Sequence, residues 1–322
     1  LVMLGILSLV SVFGHAQTDK AAPAKAPAAK ATLETKVDAL MAELIKAGQP
    51  GCSVGVYQDG QAILAKGYGA ANLEHGVPNA GSTVFDIGST SKQFTAACLV
   101  LLPLDGKLGL DDDVKKYVPE FPDYGAKVSI RQLLFHTSGL RDYCVLMSLA
   151  GFDEQDKTTA KEALEIICRQ KRLCFVPGSK HEYSNSNYFL LALIVEKAAG
   201  KSMATFANER LFAPLGMTST HIHDDCTLLV PGRATGYSPN SAGFAIAMSN
   251  WEQTGDGSVM TTVEDLLKWD ENFYTGKVGG PKFLALMTAR GELESKKALD
   301  YGYGLSHSKH GRFATIEHSG AW

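Results

Sequence analysis

The sequence predicts an α+β fold, an antiparallel sheet flanked by helices and joined to a mostly helical region. Three observations predict it. Apolar residues at helical spacing over Leu33–Ile45 lead into two strand-like runs around Asp59-Gly60. Residues 140 to 230 then read as mostly helical. Residues 301 to 322 return to alternating strands around Lys309-His310-Gly311. A chain that leaves a sheet and comes back to it implies a discontinuous α/β part, so strands from both ends are expected to share one antiparallel sheet.

Composition narrows the class. Of 322 residues, 45% are hydrophobic and 20% charged, a profile that buries a large core and excludes wholesale disorder. Lys plus Arg is 31 against 34 Asp plus Glu, a net charge of -3. No basic excess exists to neutralise phosphates, so no nucleic-acid partner is expected. The longest apolar run, Leu1 to Phe13, is too short to span a bilayer and fits the hydrophobic region of a signal peptide, with Gly14-His15-Ala16 as the cleavage signal. Residues 17–31 are Ala/Pro/Lys-rich and read as a flexible linker. The layout is thus a signal peptide over 1–16, a linker over 17–31 and a folded domain over 32–322, in a periplasmic or secreted protein with no integral membrane span. Export permits disulfides among the six cysteines. Cys52 and Cys98 lie in apolar contexts and read as buried thiols, and no CxxC pair suggests a metal or redox site.

The elements follow in order. Thr32 caps the first helix, and Gly48 with Pro50 ends it. Residues 52–58 and 61–74 flank Asp59-Gly60, a strong hairpin signal. Ser89 to Leu102 reads as a helix that Pro103 stops or kinks. Ser129 to His136 is a further short helix, and Asn187 to Ala199 a strongly apolar one. Thr262 to Tyr274 is amphipathic, capped by Thr261 or Thr262, with Glu264 and Asp265 in its first turn.

Two serine motifs compete as nucleophile. Gly51-Cys52-Ser53-Val54-Gly55 matches the G-x-S-x-G elbow, which works only between a strand and a helix. Ser53 instead opens a strand that runs straight into a hairpin, so the elbow reading fails on context. Ser89-Thr90-Ser91-Lys92 is an S-x-x-K. On a helix Ser89 and Lys92 share a face, and a lysine with a lowered pKa can take the serine proton. A second copy, Ser306-His307-Ser308-Lys309, lies in a strand, where i and i+3 point to opposite faces. Tyr183-Ser184-Asn185 offers a phenol and an amide, and His318-Ser319-Gly320 sits on the last strand, where glycine lets a substrate backbone approach.

Taken in order, these pieces resemble the serine β-lactamase and penicillin-binding protein superfamily, in its class C β-lactamase-like branch with DD-carboxypeptidase, esterase and D-aminopeptidase relatives. The resemblance runs from about residue 33 to 322. It is carried by the stretch from Phe85 to Thr95 around Ser89, by Leu133-Leu134-Phe135-His136-Thr137-Ser138-Gly139-Leu140, by Phe175-Val176-Pro177-Gly178 leading to Tyr183-Ser184-Asn185, and by Pro214-Leu215-Gly216-Met217 and Gly255-Asp256-Gly257. The resemblance implies a β-lactamase/transpeptidase-like fold. Ser89 would be the acylated nucleophile, Lys92 its proton acceptor, and Tyr183 the general acid and base. Asn185, His318, Ser319 and Gly320 would bind substrate, and the backbone N–H groups of Ser89 and Ala321 would form the oxyanion hole. It implies an exported serine hydrolase acting on a D-Ala peptide, a β-lactam or a small ester, with no metal or organic cofactor. The alternative is a penicillin-recognising sensor or an inactive relative.

Some expectations concern departures and lures. The basic n-region and initiator Met of a signal peptide are missing, and relatives continue past the His-Ser-Gly triplet, so the sequence reads as clipped at both ends. His318 stands where many relatives carry lysine; a protonated imidazole could replace that cation in part. Lys92 and Tyr183 are expected to share one proton at neutral pH. His221-Ile222-His223 with Asp224, Asp225 and Cys226 reads as a solvated loop rather than a metal site. His136 reads as a structural hydrogen-bonding residue, and Asp111-Asp112-Asp113 as a solvated turn and helix start.

Overall fold

The computed structural model describes residues 7–12, 26–153 and 155–321. Its centre is a pair of packed helices, Lys92–Leu104 and Asn185–Ala199. In the first, every residue from Lys92 to Leu102 is buried, so it has no solvated face and is enclosed on all sides. Its buried polar residues must then find protein partners, and those partners build the site.

The helix after Ser89 differs from expectation at both ends. Gly88–Ser91 is a single 3₁₀ turn, and the α-helix starts at Lys92. Pro103 does not stop it, because it falls in the last turn, where the missing N–H costs one hydrogen bond and Asp105 N–H still reaches Leu101 O. The short helix is Ile130–Leu134, opened by a reciprocal Ser129/Gln132 capping box. Thr262 caps helix Val263–Thr275 by accepting from Asp265 N–H. The middle region holds helices Tyr143–Leu149, Ala160–Cys168, Asn185–Ala199 and Met203–Ala207.

The sheet is five-stranded, in the order Leu7–Val12, Phe313–Gly320, Ser306–His310, Ala298–Gly302, Arg290–Glu292, with antiparallel pairing. The expectation that the Asp59-Gly60 hairpin joins it is overturned. Cys52–Gln58 and Gln61–Tyr68 form a separate two-stranded sheet. Strand Phe313–Gly320 is already paired on both edges, and the hairpin instead docks on helix Val263–Thr275, where the Tyr57 hydroxyl donates to Val263 O. Leu7–Val12, inside the stretch read as a signal peptide, supplies the extra strand; the cleavage position after Ala16 lies outside the described residues. The stretch read as a linker ends early too. Helix Ala26–Leu44 begins inside it, since Ala and Lys favour helix and Pro27 falls in the first turn, where it is tolerated. In the last hairpin, Lys309 and His310 stay in the strand, and the turn is Gly311-Arg312.

Trp269 ties this sheet-flanking helix to the core. It is fully buried, donates Nε1–H to Gln93 Oε1 at 2.6 Å and packs 4.8 Å from the Phe94 ring centroid. Trp269→Ala is expected to cost about 3–5 kcal/mol in urea unfolding. Trp269→Phe, which keeps most of the packing, is expected to cost about 1–2 kcal/mol for the unpaired Gln93. An alanine variant within about 1 kcal/mol of the parent would contradict this packing.

Candidate active site

The 3₁₀ turn sets the first contact. With three residues per turn, Ser89 and Lys92 are eclipsed rather than merely on one face. Lys92 Nζ lies 2.8 Å from Ser89 Oγ, 2.8 Å from Asn185 Oδ1 and 2.7 Å from Asp256 O. The neighbouring polar side chains fix the turn from every side. Thr90 Oγ1 donates to His318 O, Ser91 Oγ accepts from Val259 N–H, and Thr95 Oγ1 donates to Gly255 O. Gly304 closes the remaining side; at φ +74° a Cβ there would sit 2.6 Å from the Lys92 carbonyl.

Lys92 is fully buried, and that burial pushes its pKa down to about 8, against the opposing pull of Asp256, Cys144 and Asp142. Burial moves Tyr183 the other way, holding the phenol above its ordinary value even though it hydrogen-bonds Ser89. These opposite shifts do not favour the expected sharing of one proton between them. The amine bonds Ser89 Oγ and lies 5.0 Å from the Tyr183 ring centroid, and only the amine is shifted toward neutral pH. These shifts leave the Tyr183 phenol protonated at neutral pH and bring the neutral form of the Lys92 amine within reach of it.

Asn185 is the first residue of its helix. Its orientation comes from a residue the sequence did not single out, Asp142, whose Oδ2 accepts from Asn185 N–H at 2.6 Å and from Nδ2 at 2.9 Å. That leaves Oδ1 to face Lys92. Asp142 also caps helix Tyr143–Leu149, and its sequence context signals only that cap. Asp256 was likewise given no role. It is buried, its Oδ2 accepts from Tyr143 O–H at 3.0 Å, and burial raises its pKa despite the nearby Lys92.

The proposed oxyanion donors lie close together. A Cβ on Gly320 would fall 3.1 Å from Ser89 N, and one on Gly88 would fall 2.8 Å from Ala321 N. Both positions need glycine for this approach. Hydrogen-bonded pairing with Ser306–His310 ends at Glu317, which leaves His318, Ser319 and Gly320 without a strand partner on that edge. His318 does not supply a cation. Its ring is buried, Nε2 lies 3.1 Å from Tyr301 Oη, and Nδ1 lies 2.6 Å from Ser319 O. Burial and Lys92 lower its pKa to about 4, so it is neutral at pH 7.

The lures resolve by placement. Ser53 is buried in a strand and donates to Ala80 O, so its hydroxyl is occupied. Ser306 and Lys309 sit in a strand, as expected. His221–Ile222 pairs with Val259–Met260 and His223 is buried, so this is no solvated loop. Asp225, Cys226 and Glu252 cluster, but the Lys157 ammonium already sits 2.8 Å from Glu252. Asp111 pairs with Arg131, and Asp113 caps a 3₁₀ turn. All six cysteines are free.

Fold and site together define an S-x-x-K serine protein. A profile of the beta-lactamase family matches residues 33–322, and the chain belongs to that family. The D-aminopeptidase of Brucella anthropi is 31% identical over 274 residues, covering 84% of this chain and 52% of the relative. The chain thus spans about half the length of the curated relatives it matches. Among solved structures, the octameric penicillin-binding protein homologue from Pyrococcus abyssi superposes with a TM-score of 0.78 at 27% identity, covering 90% of this chain and 68% of that one. The D-amino acid amidase from Ochrobactrum anthropi SV3 gives 0.73 at 25% identity, covering 90% and 84%.

Only the neutral amine of Lys92 accepts a proton. Acylation of Ser89 by an activated ester is therefore expected to rise with pH through about 8 and level off above it. Lys92→Arg, permanently charged, is expected to lose about 100-fold or more. A flat profile between about pH 6 and 9 would exclude Lys92 as the base.

Proposed function

We propose that the protein is an exported serine hydrolase that forms an acyl-enzyme on Ser89 and hydrolyses a small amide or ester, D-amino acid amides foremost. The observation that carries this is the buried Lys92 amine, held at hydrogen-bond distance from Ser89 Oγ with a lowered pKa. The names of the D-aminopeptidase and the D-amino acid amidase support the substrate class. So does the neutral His318. A β-lactam or a peptide with a carboxylate beside the scissile bond gains no ion pair from it, whereas an uncharged amide or ester loses nothing.

The steps follow from the contacts. Neutral Lys92 takes the Ser89 proton, and Oγ bonds to the carbonyl carbon. The oxyanion is met by the N–H groups of Ser89 and Ala321, a class of interaction that lowers such barriers by several kcal/mol. On collapse, the bond to the leaving nitrogen or oxygen breaks and that atom takes the Tyr183 hydroxyl proton, which Lys92 replaces. Deacylation reverses the route. Water gives its proton to the Lys92–Tyr183 pair, attacks the acyl carbon and expels Ser89 Oγ, which is reprotonated. Asn185 keeps one Nδ2 hydrogen beyond its Asp142 bond for the substrate carbonyl, and the unpaired edge at Ser319 and Gly320 suits its backbone. A sensor that acylates once needs no base to activate water, and the Tyr183 phenol beside Lys92 supports turnover instead.

Intact-mass spectrometry during turnover of a D-phenylalanine ester is expected to show an acyl adduct on the parent protein and none on Ser89→Ala. Turnover in that variant is expected to fall roughly 10⁴-fold or more, while Ser53→Ala retains it. Equal turnover in Ser89→Ala and the parent would end the proposal.

A further inference from the structure

Tyr183 has little local support. It lies in the irregular stretch before helix Asn185–Ala199 and is 40% exposed. The usual stiffening of such a junction is missing, because Ser184 sits at the cap position yet its hydroxyl makes no capping bond. What takes over is His136. Its backbone carbonyl accepts from Glu182 N–H at 2.9 Å, its Nδ1 accepts from Ser184 N–H at 3.2 Å, and its ring lies 4.4 Å from the Tyr183 ring, tilted by 31°. Three consecutive residues, with the phenol in the middle, are thus held by one buried side chain and its carbonyl.

His136 is itself over-determined. It is fully buried at φ 52° and also packs against Tyr188, 5.1 Å away. Asn187 Nδ2 donates to the same Nδ1 at 3.0 Å, and the orientation of that amide is set by Ser138 Oγ donating to Asn187 Oδ1 at 2.5 Å. Two donors aimed at Nδ1 require a lone pair there and place the ring proton on Nε2. A charged ring would set N–H against N–H. Burial, with Lys92, His181 and His318 nearby, likewise keeps the ring neutral.

We propose that His136 is the positioning residue of this site, holding the Tyr183 phenol against Ser89 by stacking on its ring and by accepting the Ser184 N–H. This rests on the reading of Tyr183 as the acid and base. A phenol displaced by about 1 Å transfers protons poorly but leaves the binding surfaces in place, so the loss falls on kcat.

Three variants test this on one D-phenylalanine ester. His136→Asn tolerates the left-handed backbone and presents an oxygen near Nδ1, but removes the ring. It is expected to lose about tenfold in kcat with KM within about twofold. His136→Phe keeps a ring and removes the acceptor, and is expected to lose about 100-fold in kcat, again with KM unchanged. Should the strained Phe variant not fold, His136→Asn decides alone. Parental kcat in His136→Asn, or a loss carried by KM, overturns the proposal. Tyr183→Phe separates the two levels. If it retains parental kcat, the reading of Tyr183 falls first; if it is inactive while His136→Asn is parental, only the positioning role falls.

Discussion

One buried lysine is the constraint on which this structure turns. An unpaired ammonium inside protein is prohibitively costly, and even a neutral amine needs its hydrogen bonds met. Lys92 meets them with three acceptors drawn from three places: the Ser89 turn, the start of helix Asn185–Ala199 and the loop at Asp256. Satisfying one side chain therefore brings those segments to hydrogen-bond distance. The cost of enclosing the charge becomes the lowered pKa that a base acting on serine requires.

The side chains around these acceptors answer the same demand. Asp142 turns the Asn185 amide so that its oxygen, not its nitrogen, meets Lys92. Thr90, Ser91 and Thr95 each spend a hydroxyl on a different neighbour, so the turn bearing Ser89 is held to strand Phe313–Gly320, strand Val259–Thr261 and the Gly255 loop. His318 is drawn into this shell rather than projecting from it. Its two ring nitrogens meet Tyr301 and the Ser319 carbonyl, and burial beside Lys92 disfavours the positive charge the sequence position invites.

What could be read from the sequence follows how local each feature is. The Ser89–Lys92 pairing was legible because three residues of helical backbone create it. The caps at Ser129 and Thr262 were legible for the same reason. Tyr183 and Asn185 came through a resemblance of motifs, and the structure sets both beside Lys92. Asp142 and Asp256 were not legible, because their contacts reach across 43 and 113 residues to Asn185 and Tyr143. The hairpin at Asp59-Gly60 was found but given the wrong sheet. A turn signal specifies the two strands it joins and says nothing of the edge they meet. The neutral state of His318 was hidden too, since it depends on burial and on a tyrosine 17 residues away.

The spread of these contacts along the chain has a consequence for the life of the molecule before it is folded. Lys92 meets Asn185 across 93 residues and Asp256 across 164, and Thr90 meets His318 across 228. Until those loops close, Lys92 is an ordinary solvated ammonium and Ser89 an ordinary alcohol. A half-collapsed chain therefore lacks the contacts that surround Ser89 and Lys92 in the folded state. The environment that sets Lys92 against Ser89 is thus a product of completed tertiary assembly.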